Sequence, residues 1–157
     1  MKVYVNIGSN QSAPAARATI RDAVGKWSAV SYWLDLGNNA DSGQFILGEP
    51  LNERNRKLEL RLRTAGELFP EIADPTLDND GEQSCSAAAA LEKQEPFINS
   101  TLAQHALALL ARLFRHGELC YHGAFINLST SIGSRLPIDG SLWKRLRRRC
   151  KSEKTRA

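Results

Sequence analysis

The sequence predicts an α/β domain built on a mixed sheet, and three observations carry that prediction. A strand, an amphipathic helix and a second strand follow one another within the first 36 residues, the pattern of a βαβ unit. Turn-forming residues then send the chain back as a hairpin. A long apolar helix and a second hairpin occupy the last third. The chain has 157 residues, 42% of them hydrophobic and 24% charged, which fits one globular body and excludes a disordered or collagen-like one.

Each element has a local cause. Residues 2–7 read as a strand ending at Gly8. Ser12 is placed to cap a helix, with Pro14 in its first turn, where a missing amide proton is harmless. Ala16, Ile20, Ala23, Val24 and Trp27 recur at helical spacing as one apolar stripe. Val30, Tyr32, Leu34 and Leu36 alternate with polar Ser31 and Asp35. Gly37 to Gly43 is turn chemistry, and Gln44 to Leu47 is the returning strand. After a turn at Glu49–Asn55, Leu58, Leu60 and Leu62 alternate with Glu59, Arg61 and Arg63, which predicts a strand with one face in solvent. Ala73 to Ser84 reads as loop and Ser86 to Gln94 as a helix. Pro96 opens the core helix, with Phe97, Ile98, Leu102, Ala106, Leu109, Leu110, Leu113 and Phe114 inward and Gly117 as its stop. Leu119–Leu128 and Ser134–Ile138 form the terminal hairpin around Ser129–Gly133.

Charge divides the chain into a body, 1–140, and a basic tail, 141–157. Lysines and arginines number 21 against 17 acids, and the excess comes from the run that starts at Lys144. A basic tail points to polyanions, so Trp143 with Lys144–Arg149 makes nucleic acid one reading and a solvated helix end the other. No stretch reaches the ~18 apolar residues of a membrane span. The best candidate, Leu102–Phe114, is broken by Gln104, His105 and Arg112. The first residues lack the apolar core of a secretory signal. The expected address is the cytoplasm, with no membrane partner.

The motif search excludes more than it finds. Three cysteines, 85, 120 and 150, without a CxxC pair argue against a disulfide framework and a four-cysteine zinc site. Gly43 and Gly48 have phosphate-loop spacing, but Glu49–Pro50 follows where Lys and Ser/Thr are required. Asp78-Asn79-Asp80-Gly81 resembles part of a calcium loop, yet Thr76 and Ala87 stand where it needs acids. No metal is expected. Cys120 and His122 alternate and could share a ligand, but lack further ligands and read as ordinary sheet residues. His105 reads as a core or boundary histidine, and His116 as a partner for a helix C-terminus. Cys85 differs, because it follows an acidic loop and opens a helix between Ser84 and Ser86. Helix amides lower a thiol pKa there and favour a nucleophile; an inert loop cysteine is the other reading.

The runs Tyr32-Trp-Leu-Asp-Leu-Gly-Asn-Asn-Ala-Asp-Ser-Gly-Gln-Phe-Ile-Leu-Gly, Glu67-Leu-Phe-Pro-Glu-Ile, Ser84-Cys-Ser with Leu91-Glu-Lys-Gln, and Phe97-Ile-Asn-Ser-Thr-Leu-Ala resemble the C-terminal half of ThiF-family proteins. The branch they are most similar to is the ThiF-like protein of PRTRC gene clusters, over about residues 12–139. The resemblance implies an incomplete Rossmann-like ThiF fold, with the ATP-binding part lying before residue 1. It implies kinship with ubiquitin-like modifier activating enzymes, adenylyltransferases that use ATP and Mg2+ on the C-terminus of a ubiquitin-like protein. Cys85 matches the cysteine that captures the activated carboxyl group in several branches, and is the catalytic residue so implied. At the family's magnesium-binding acid stands Ser12, or Asn10 with a small insertion, so ATP and Mg2+ are not expected to bind this chain alone. The implied partners are a ubiquitin-like protein and a ThiF-like chain in a homo- or hetero-oligomer. The alternative is a non-catalytic partner-binding or dimerisation subunit.

Overall fold

The computed structural model describes residues 1–9, 14–26, 29–74 and 95–146. Ser12, Trp27, the loop and helix expected at 75–94, Cys85 and Cys150 lie outside them. The chain is α/β, with one open, mixed sheet of five strands in the order β1-β2-β3-β4-β5. These are β1 (Val3–Ser9), β2 (Tyr32–Asn38), β3 (Ser42–Gly48), β4 (Tyr121–Asn127) and β5 (Ile132–Pro137). Helix α1 (Pro14–Lys26) crosses from β1 to the parallel β2, completing the expected βαβ unit. All later pairings are antiparallel, and both expected hairpins form.

The two faces of the sheet are built differently. On one lies α3 (Ile98–His116), whose Ile98, Leu102, Ala106, Leu109, Leu110 and Leu113 cover Leu34, Leu36, Phe45 and Leu47. Their spacing of three and four residues makes the buried stripe of an amphipathic helix. Gly117 stops it at φ 70°, the left-handed conformation that a side chain disfavours. Phe97 and Phe114 are not core residues, contrary to the sequence expectation. Phe97 precedes the first turn, itself left-handed at φ 72°, and Phe114 points away from the buried stripe; both are exposed.

The opposite face carries α1, a short helix α2 (Ala65–Leu68), the 3-10 turn Pro70–Ala73 and the helical residues 140–146. Ile46, Leu62, Ala65, Leu68, Leu136 and Trp143 form its apolar core. Trp143, the aromatic that the nucleic-acid reading placed in a binding tail, is therefore a buried residue. The expected strand at Leu58–Leu62 does not form. Leu58 and Leu60 are exposed while Arg61 and Leu62 are buried, in an irregular segment led by the 3-10 turn Asn55–Lys57. Side-chain amides hold this segment: Asn52 donates to the Val30 carbonyl at 2.8 Å, and Asn55 to those of Ser31 and Pro50 at 3.0 Å. Buried carbonyls satisfied in this way leave no ladder for a neighbouring strand to join. A capping box between Thr64 and Glu67 starts α2, and Gly48 leaves room for the Thr64 backbone, which a Cβ would strike. Among the described residues no helix is long and apolar enough to cross a membrane.

Candidate functional site

Two surfaces remain uncovered, one at each side of the sheet. The first is a shallow concavity of about 230 Å³ at the end where the β2–β3 and β4–β5 turns meet. Register places Gln44, Phe125 and Ser134 side by side on the α1 face, with Asn127 and Ile132 paired below them. Gln44 is a buried part of the lining. Phe125 meets Phe69 edge to face, centroids 5.4 Å apart, so the ring is held and not loose. The turns are tied together: the Leu128 amide donates to the Asp41 carbonyl at 2.8 Å, and the Ser129 hydroxyl to the Asp41 carboxylate at 2.8 Å. Hydroxyl donors, Ser129 first and then Ser42, hold the Asp41 carboxyl below the ordinary carboxylate range. The lining is apolar with amide and hydroxyl groups at its rim and no titratable side chain. It can bind a polypeptide surface, but it has no acid, base or nucleophile of its own.

The second surface lies at β1, which pairs on one side only among the described residues. Val5 and Ile7 point to the α3 face, in register with Leu34 and Leu36, yet they are 48% and 71% exposed. Helix α3 packs over β2, β3 and β4 and stops short of them. Taking the β1–α1–β2 crossover in the right-handed sense that such units almost always have, the flank of α3 turned to β1 is the one that carries Leu107 and Phe114. Those residues are 63% and 58% exposed. The sheet edge and the helix flank thus make one notch, floored by Val5 and Ile7 and walled by Leu107 and Phe114.

Beneath α1 the same strands carry a buried charge pair. Arg17 Nε donates to both Asp35 oxygens, at 3.2 and 3.1 Å, and Asn6 adds a bond at 2.7 Å. Both charged side chains are almost wholly buried. Burial pushes the Asp35 pKa up, against the opposing pull of Arg17 and Asn6. The helical stripe expected here contained Ala16, but Ala16 is exposed and Arg17 takes the inward position. A second pair fixes the start of α2, with the Arg61 guanidinium on Glu67 and on the Glu49 carbonyl. Burial alone would raise the Glu67 pKa; the bonds from Arg61 and Thr64 outweigh it and lower it.

The histidines and cysteines do not assemble a site. His122 is fully buried, its Nδ1 donating to the Leu47 carbonyl at 2.8 Å and its ring edge-on to Trp143. Cys120 is exposed and precedes β4, so the two do not share a ligand. His105 is exposed and stacks on Phe45 at 6.3 Å, and His116 is in the last turn of α3 as expected. Among the described residues no three metal-binding side chains gather. Midway along β2 the Asp35 carboxylate is taken by Arg17 and Asn6, and at the end of that strand Asn38 donates to the Asn39 carbonyl; Asn10 and Ser12, at the position of the family's magnesium-binding acid, lie outside the described residues. Compared with protein-family models the chain matches none, and no curated protein matches it.

Proposed function

We propose that the chain is the partner-holding half of a ThiF-like activating system: its concave sheet end holds a ubiquitin-like protein, and its β1 edge receives the nucleotide-binding half. The observation that carries this reading is the notch at β1. A parallel strand unpaired on one side among the described residues, with bare apolar residues and a bare helix flank beside it, supports a docking face for a further α/β unit. Helices pack ~8–10 Å apart and strands ~4.8 Å apart, so a helix laid beside α3 sits over β1 and one further strand. A unit adding one strand and one helix covers Val5, Ile7, Leu107 and Phe114 together. The resemblance supplies the identity of that unit, a Rossmann-like ATP-binding half. The concavity beside the free edge of β5 suits the other role, because an extended partner segment can add to that edge while a side chain seats against Phe125 and Ile132.

In this reading Cys85 is the acyl acceptor. Its thiolate attacks an activated carboxyl carbon, the carbon–sulfur bond forms, and the leaving group departs with the bonding pair. The test uses a peptide ending in a Gly-Gly α-thioester, which replaces the adenylated partner as acyl donor. Incubation with the full chain is expected to give one adduct, mapped by mass spectrometry to Cys85 and lost in Cys85→Ala. Exposed Cys120 is the internal control. An adduct at Cys120 alone, or none, removes Cys85 from the mechanism and leaves the holding role. Calorimetry with Mg-ATP tests the division of labour: micromolar binding by the chain alone would overturn it.

A further inference from the structure

We infer that the end of the molecule where β1 and β2 begin is a binding face for a nucleic-acid backbone. Hydrogen bonds show which segments meet there. Ser31 donates to the Lys2 carbonyl at 2.9 Å, Asn52 reaches Val30, and His122 at the start of β4 reaches Leu47 at the end of β3. Tyr121 pairs with Pro137, so the end of α3 and the residues after β5 arrive at the same place. Three unconnected elements bring exposed cations to this end: Arg54 and Lys57 after β3, Arg112 and Arg115 in the last turns of α3, and Lys144 and Arg145 after β5.

The acids at this end do not cancel them. Glu53 lies 3.9 Å from Arg56. Asp139 caps the 140–146 helix, accepting from the Ser141 amide and hydroxyl at 2.7 Å each, and its charge offsets part of that of Arg145. Glu59 and Glu118 are exposed and remain. The turns at the opposite end, residues 39–42, 95–97 and 128–131, contain Asp41 and Glu95 and no lysine or arginine. A helix dipole accounts for Arg115 and His116 at the end of α3. It does not account for cations arriving from two other elements.

The dimensions suit a phosphate chain. Five strands at ~4.8 Å span about 20 Å. A nucleic-acid strand stacked as in a duplex advances ~3.4 Å per phosphate along its axis, so about six phosphates of a stacked strand cross this face. An anionic membrane would meet the same cations. The exposed leucines here, Leu51, Leu58 and Leu60, stand beside Glu53 and Glu59, so inserting them would carry carboxylates toward anionic headgroups. A nucleic-acid backbone requires no such insertion. Trp143 is buried, and the exposed ring beside these cations, Phe114, lies on the flank of α3 turned toward β1 and away from Arg112, so among the described residues it is the cations that meet the ligand and the recognition is of backbone and not of sequence.

The experiment is fluorescence anisotropy of the full chain with labelled 20-nucleotide single strands of two unrelated sequences, titrated across salt. Equal affinities are expected, with log affinity falling against log salt at a slope of about −4, from ~0.7 per phosphate. Arg112→Glu/Arg115→Glu and Lys144→Glu/Arg145→Glu are each expected to weaken binding at least about tenfold and to flatten the slope by about 1.4. All four side chains are exposed, and circular dichroism checks that the variants fold. Arg21→Glu, a reversal on the outer side of α1, is expected to change nothing. No binding by the wild type, or wild-type affinity in both double variants, overturns the inference. Sedimentation with phosphatidylglycerol vesicles but no binding to either strand overturns it in favour of a membrane.

Discussion

The two faces of the sheet solve the same burial problem with different chemistry. On the α3 face one helix lays an unbroken apolar stripe on Leu34, Leu36, Phe45, Leu47 and Ala124. On the α1 face the core is interrupted by Arg17 with Asp35, by Arg61 with Glu67, and by His122. The buried polar atoms without a partner among the described residues, Arg17 Nη1, Trp33 Nε1, His122 Nε2 and Trp143 Nε1, all belong to that second face. An apolar face is stabilised by area and tolerates exchange of one hydrocarbon for another. A face with buried charge is held by matched partners, and losing either one leaves the other desolvated and alone.

The largest effect that separates them is expected at Arg17. Arg17→Met removes the cation and strands the Asp35 carboxylate, at about 3–5 kcal/mol in urea unfolding. Asp35→Leu on top of Arg17→Met is expected to restore most of the loss, because both charges then leave the core together. Leu109→Ala on the other face should cost about 2–5 kcal/mol by opening a cavity, and no single polar-to-apolar change should rescue it. If the losses at Arg17 and Asp35 simply add in the double variant, the two faces do not differ in kind.

Acidity sharpens the same comparison. Burial lowers the His122 pKa below its ordinary value, and the hydrogen bond to Leu47 opposes this only in part. The unfolded chain therefore binds the proton more readily than the folded one. Stability from this group is complete above the unfolded value of ~6.5 and is lost as pH falls from there toward the folded pKa. His122→Gln lacks that titration. The difference between the two stability profiles is expected to be flat above pH 7 and to shrink on acidification, by at most about 1.4 kcal/mol per pH unit. A difference that stays constant down to pH 5 would mean that His122 is not held neutral by the face that buries it.

The contrast also decides what was legible in the sequence. The α3 face is periodic, so its helix, its glycine stop and all five strands follow from spacing alone. The α1 face hides its logic, because hydrophobic periodicity assigns Arg17 and Arg61 to solvent. Each is buried only because a carboxylate distant in sequence or space meets it: Asp35 across a crossover, Glu67 from the next helix. The one local signal was Asp35 itself, an acid in the middle of an apolar strand. The concavity was illegible for a similar reason, since Gln44 and Phe125 are some eighty residues apart and meet only through strand register. Cys85, the residue that the resemblance singles out, lies outside the described residues, so its role rests on the proposal.

The smallest expected effect probes the place where periodicity misled. Leu58, Leu60 and Leu62 alternate as a half-buried strand would, yet the chain buries Arg61 and exposes Leu60. The cause is local satisfaction of the backbone. The Glu49 carboxylate accepts from the Leu62 amide at 2.8 Å, and the Glu49 amide donates to the Leu62 carbonyl at 2.9 Å. These two bonds fix Leu62 inward and leave Arg61 beside the Glu49 carbonyl and Glu67, with Leu60 in water. Leu60→Ser is therefore expected to change stability by less than about 0.5 kcal/mol, the ordinary range for an exposed site. Arg61→Met should cost several times more, because it removes the buried guanidinium that holds both Glu67 oxygens and leaves that carboxylate only the half-buried Arg63 as a cation, at 3.3 Å. A strand in the expected register reverses that order, with Leu60 the costly loss and Arg61 the neutral one, so the pair of variants distinguishes the two arrangements by sign.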